Sequence, residues 1–195
     1  MQGAVRQPKR ALRAVCYCGD CQAYAHVLGQ PESVLDSLGG TEVVGVSGAQ
    51  VSIATGTREL ACLSLSPRGL LRWYASCCRT PIGNTPRNWK LPYVGLVHTC
   101  LRKPDSLEQS FPRVQLRAYT RSASGPAPRG GSVGGLIRLG GLMARITGSR
   151  LSGGYKDSPF FDGGGRPVAV VAVAPHEAVE AARRAIERPT SRPAA

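Results

Sequence analysis

Alternating apolar and polar residues recur along the first hundred positions. They predict strands over Glu42–Val46, Gln50–Thr55, Glu59–Leu65, Leu70–Tyr74 and Val94–Thr99, separated by Gly-rich or polar turns. Before the last of these, RTPIGNTPRN (residues 79–88) has the composition of a loop, with two prolines, Gly83 and Asn84. Upstream, Pro8 to Val15 is a basic lead-in. CQAYAHVLG follows Asp20 with Tyr24, Val27 and Leu28 at helical spacing, which predicts a short helix. Past Tyr119, residues 121–132 (RSASGPAPRGGS) read as a linker or exposed loop. Val133, Leu136, Ile137, Leu142, Met143 and Ile146 then return at helical spacing, with glycine pairs at 134–135 and 140–141 that allow close packing. Pro167–Ala174 is strand-like, His176–Arg188 an amphipathic helix, and residues 189–195 an unstructured tail.

These elements predict a mainly β, α+β fold: an antiparallel sheet domain over residues 1–118, and a helical extension over 119–188 packed on the same domain. At 195 residues, 42% of them hydrophobic, the chain has enough apolar material for one core. No run approaches the roughly 18 apolar residues of a membrane span. The basic N-terminus lacks the apolar centre of a secretory signal, so the expected location is cytoplasmic. Arg138 and Arg145 leave the 133–146 helix too thin a polar face for a membrane-surface helix. The net charge of +13 is spread out, with 14 basic and 7 acidic residues before position 119 and 11 and 5 after it. Without a dense basic cluster or an aromatic ladder, nucleic acid is not the expected partner. A small anionic thiol would suit the same field.

Seven cysteines, Cys16, Cys18, Cys21, Cys62, Cys77, Cys78 and Cys100, are odd in number and clustered, which argues for metal or thiol chemistry over a disulfide framework. The CxCxxC spacing lets one loop present Cys16, Cys18 and Cys21 to a single zinc ion. Gly19 is expected to take an unusual backbone angle in that loop, and Asp20 to accept backbone N–H bonds. The fourth position is either open to water or substrate, or closed by a distant side chain. Cys77 and Cys78 are the first candidates for closing it, with His26 and His98 behind them. Cys62 and Cys100, alone on strands, read as buried thiols.

VCYCGDCQAYA, a run of strands and then RWYASCCRTPIGNT together resemble the glutathione-dependent formaldehyde-activating enzyme family, which includes centromere protein V relatives. The resemblance covers roughly residues 1–100, and SGGYKDSPFFD is similar to a tail found in a bacterial branch of that family. It implies a tent-like β fold and a zinc ion associated with activity on Cys16, Cys18 and Cys21. The family's second, structural zinc uses an early CxC and a late CxxC. Here Gly3-Ala4-Val5-Arg6 follows Gln2, which stands where the second cysteine of CxC would be, while the first would fall before Met1. Cys78 matches the last cysteine of the late motif, Ala75 replaces its partner, and Cys77 stands beside it.

Two functions follow. One is a carbon–sulfur lyase-like enzyme that acts on glutathione or other thiol adducts at an open zinc position, with Arg72 and Arg79 holding substrate carboxylates. The other is a structural zinc module without catalysis, closed by Cys78.

Overall fold

The computed structural model describes residues 1–101, 107–128, 131 and 133–187. The expected tail, residues 189–195, lies outside them, as does Arg188 at the end of the last predicted helix. In chain order the elements are β1 (Gln2–Val5), β2 (Leu12–Cys16), α1 (Gly19–Val27), α2 (Pro31–Val34), β3 (Thr41–Ser47), β4 (Val51–Thr55), β5 (Leu60–Ser64), β6 (Leu71–Ala75), β7 (Pro81–Thr85) and β8 (Tyr93–Val97). Then come α3 (Leu107–Ser110), β9 (Leu116–Ala118), α4 (Val133–Leu151), β10 (Val171–Val173) and α5 (His176–Glu187).

The fold is α+β, as the pattern of elements implied. Eight strands form one sheet in the order β10-β5-β6-β7-β8-β3-β2-β9, and β1 pairs with β4 in a separate antiparallel ribbon. Pairing is antiparallel from β5 through β2, whereas both edges are parallel: β10 on β5 and β9 on β2. Those edge strands come from later chain that returns to the sheet.

Beyond the unexpected short elements β1, α2, α3 and β9, two segments of the main sheet depart from the sequence-based expectation. The lead-in before Cys16 is an inner strand, β2, between β3 and β9. Its polar residue Arg13 is buried, with its guanidinium Nε 2.5 Å and Nη2 3.2 Å from the two Glu42 carboxylate oxygens. The pairing makes a cation tolerable inside a sheet. The expected loop 79–88 contains β7, buried along its whole length. Pro81 occupies its first position, where a missing N–H costs least. Thr85 accepts the Trp73 indole N–H at 2.9 Å, and the Asn84 amide oxygen accepts from Arg72 at 3.3 Å. Turn-forming residue types are used here as buried hydrogen-bond partners.

One face of the sheet carries the main core, built on Val44, Val46, Leu71, Trp73, Val94 and Leu96. Phe160 and Phe161, from the segment after α4, flank Trp73 at ring distances of 5.1 and 6.2 Å. On the opposite face, α4 crosses β2 and β3, and α5 packs beside α1. The Arg138 and Arg145 guanidiniums donate to the Lys9 and Arg10 carbonyls at 2.7 and 2.6 Å, tying α4 to the turn before β2. Among the described residues, no helix is long and apolar enough to cross a membrane.

Candidate metal centre

Cys16 is the last residue of β2, and Cys18 stands just before α1 in extended conformation, with φ −64° and ψ 147°. Cys21 lies in the first turn of that helix, its N–H donating to the Cys18 carbonyl at 3.0 Å. The strand end and the helix start therefore fold the six-residue motif back on itself. The three Sγ atoms lie within 4.8 Å of one another, and the side chains are half-buried. Surrounding groups lock the loop. Gln22 donates its amide to the Tyr17 and Ser122 carbonyls at 2.8 and 3.0 Å, and the Tyr17 N–H donates to Ala118 at 3.0 Å.

This geometry suits a thiolate-bound metal ion. Sulfurs each about 2.3 Å from a tetrahedral zinc stand about 3.8 Å apart, a spacing compatible with three sulfurs within 4.8 Å of one another. Proton sharing within the triad points the same way. Hydrogen bonds from Cys16 and then Cys21 pull the Cys18 thiol down, and the Arg72 charge adds to this. Cys16, which bonds Cys18 and Cys21, is pushed well up. Cys21 is also raised: its bond with Cys16 favours the thiolate, but the bond with Cys18, burial and the Cys18 charge outweigh that. Three thiolates this close resist full ionisation without a cation among them.

The triad opens on a cavity of about 900 Å³. Across β6, β7, β8, β3 and β2, one row of facing residues reads Arg72, Asn84, Gly95, Gly45 and Leu12. The two glycines are covered by side chains from neighbouring elements. A Cβ on Gly45 would sit 3.2 Å from both the Tyr93 ring and Leu142, and one on Gly95 would sit 2.9 Å from the Tyr93 hydroxyl. Tyr93 fills the space those side chains would take. Burial, and then the charges of Cys16 and Cys21, push its phenol up to about 12.

The chain matches a family of unknown function, DUF6151, over residues 4–172. It belongs to that family. The matched stretch includes the three cysteines, the whole of α4 and the first part of β10, and it leaves α5 outside. No curated protein and no solved structure matches the chain.

Within the DUF6151 chain, the residues singled out in the sequence divide between two places. Arg72 belongs to the triad's cavity and is 2% exposed. Its guanidinium lies 4.0 Å from Asp20, 3.3 Å from Asn84 Oδ1 and 5.1 Å over the Tyr24 ring. Arg79 is not in that cavity: it lies exposed in the β6–β7 turn at φ 57° and donates to the Val27 carbonyl at 3.1 Å. Cys77 and Cys78 are exposed in the same turn and line a different cavity, with Cys100 and the β1 backbone. They do not join the triad. The closed four-sulfur site through Cys78 is therefore not formed, since the β6–β7 turn holds both thiols away from the end of β2. The Cys78 thiol is lowered by the Thr80 hydroxyl 3.1 Å away. His26 lies on α1 and is lowered by burial, and His98 Nδ1 faces the Glu42 carbonyl at 3.4 Å. Neither imidazole joins the triad either. Cys62 and Cys100 are lone thiols, Cys62 buried and Cys100 partly so, with Cys100 donating to the Ile82 carbonyl at 3.2 Å.

Gly19 is helical, at the first position of α1, and a Cβ there would meet open space. Asp20 faces Arg72 and, at 3.7 Å, Arg183 of α5, in place of the expected backbone contacts. Sequence reasoning missed Tyr93 and Arg183. Tyr93 had a usable signal: in YVGLV it shares a strand face with Gly95, while Val94 and Leu96 point into the core.

Proposed function

We propose that this chain binds zinc on Cys16, Cys18 and Cys21, keeps the fourth position open to the cavity, and acts there on a thiol adduct as a carbon–sulfur lyase does. One observation carries this: three thiols converge in a cavity wall, and among the described residues no fourth Cys, His, Asp or Glu joins them. The resemblance of the CxCxxC segment to glutathione-dependent formaldehyde-activating enzymes supports it. Bound zinc would supply Lewis acidity and a site for a substrate thiolate.

The chain's own groups have definite parts. Arg72 offsets the excess negative charge of three thiolates, so it serves the cluster before any substrate carboxylate. Tyr93 keeps its proton at neutral pH, as a phenol ordinarily does. It can donate from Oη to the hydroxyl oxygen of a hemithioacetal. Cleavage of that adduct breaks the carbon–sulfur bond, turns the hydroxyl into a carbonyl and transfers its proton to sulfur.

The test is metal analysis of the purified protein together with an absorption spectrum of the cobalt form. One ion per chain is expected, lost in Cys18→Ala and retained in Cys78→Ala, with a spectrum that shifts on adding a thiol. Absence of stoichiometric metal would overturn the proposal. A cobalt spectrum indifferent to every thiol would leave a structural ion and remove catalysis.

A further inference from the structure

Polar and apolar groups are strongly segregated in the triad's cavity. Its charged lining groups Asp20, Arg72, Arg183 and Glu187 come from α1, β6 and α5, and the triad sits beside them, with Cys21 in α1, Cys18 just before it and Cys16 at the end of β2. Along the facing row, the strands beyond Arg72 and Asn84 offer only Gly95, Gly45 and Leu12. Opposite them, Leu139, Leu142, Met143 and Ile146 project from α4, and Leu142 and Ile146 pack with Leu12. Leu70, Met143 and Tyr119 line the cavity while remaining 47%, 46% and 68% exposed, an apolar rim open to solvent.

The charge of this cavity's two arginines is partly offset within the chain. Arg72 and Arg183 both face the Asp20 carboxylate, and Arg183 also lies 3.6 Å from Glu180. A peptide thiol such as glutathione, with two carboxylates and an ammonium group, would have to place those charges against leucine, methionine and glycine. Burying charge without partners is strongly unfavourable. An alkyl or aryl group would instead gain by leaving water for the same wall.

Building on the metal centre proposed above, we propose that the cavity takes a small thiol, or the carbonyl adduct of one, with an apolar body. Its sulfur lies at the cysteine triad and its hydrocarbon runs along the α4 wall of Leu139, Leu142, Met143 and Ile146. Selectivity comes from the wall and not from a charged clamp.

The experiment uses the cobalt-loaded full chain, titrated with ethanethiol, butanethiol, hexanethiol, octanethiol and glutathione, and read by the cobalt absorption bands. Affinity is expected to tighten about fourfold per added methylene until the cavity is full, with glutathione weaker than butanethiol. Met143→Asp, a substitution at the half-exposed rim, should weaken octanethiol about tenfold or more and leave ethanethiol and the cobalt content unchanged. Equal affinity along the series, or glutathione as the tightest ligand, would overturn the apolar body. Cobalt content of the same samples tests the metal centre separately. If no ion is held, displacement of the neutral dye N-phenyl-1-naphthylamine by the same thiols still tests the cavity. Release that grows with chain length supports an apolar occupant, and no release by octanethiol overturns it.

Discussion

Removing the metal should soften the fold by a calculable amount. A ligand that binds only the folded chain at a thousand times its Kd adds about 4.1 kcal/mol of stability. For a chain of 195 residues, each kcal/mol moves Tm by about 2–4 °C, giving a ceiling of about 8–16 °C between chelated and zinc-saturated protein. The structure places the true value near the lower end. All three ligands fall within residues 16–21, so the unfolded chain also binds zinc, and only the excess affinity of the folded site counts. That excess comes from what folding adds: the β2 end and the α1 start that fix the sulfurs, and the Arg72 charge brought in from β6. Thermal melts in zinc-buffered solutions, followed by near-ultraviolet circular dichroism, should show a rise of about 8 °C in the wild type. Cys18→Ser should lose most of it. A Tm indifferent to chelator, or a zinc-dependent rise that survives in Cys18→Ser, would refute the reasoning.

Arg72→Met keeps every sulfur and removes the buried counter-charge; competition with a chromogenic chelator should show metal affinity reduced by about 10–100-fold, the range for residues that support ligands. Leu142→Ala should cost about 2 kcal/mol, the low end for leucine truncation, because one side of Leu142 already borders the cavity; urea melts check this. Burial pushes the Cys62 thiol up to about 11 and Cys100 up to about 12 from an ordinary 9.0. The folded chain therefore holds those protons more tightly than the unfolded chain, so stability is full below pH 9 and declines as pH rises through 11 to 12. A Cys62→Val, Cys100→Val double variant should flatten that decline in urea midpoints measured against pH.

The strands that alternate cleanly were legible in the sequence, as was the helix that follows Asp20. What escaped detection had residue types governed by distant partners. Arg13 hides β2 from a hydrophobic pattern, and its tolerance in the sheet depends on Glu42 on the neighbouring strand. Pro81, Gly83 and Asn84 spell a turn, yet they form β7 because Trp73 and Arg72 need the hydrogen-bonding groups of Thr85 and Asn84. The strand-like Pro167–Ala174 contains β10, but β9 was not read and neither was the parallel pairing of both edges, since these strands are three residues each and owe their place to the strands they join.

The same division runs through the site. A metal-ligand motif is local chemistry, so Cys16, Cys18 and Cys21 could be read from spacing alone. The absence of a fourth sulfur beside the triad among the described residues, and the cavity the triad faces, are matters of tertiary position. Cys78 failed as a partner for a topological reason: β6 and β7 extend the sheet away from β2, and the turn that joins them carries its thiols to the other cavity. Arg72 reached the triad from the same hairpin because its side chain, on the strand itself, points to the α4 face. Two residues with similar sequence credentials were thus separated by strand alternation and by the direction of one hairpin. The consequence for function is specific. A sulfur from Cys78 would have completed a closed, structural site, whereas a guanidinium from Arg72 brings charge without a ligand atom. That leaves the open side of the triad facing a cavity with an apolar wall.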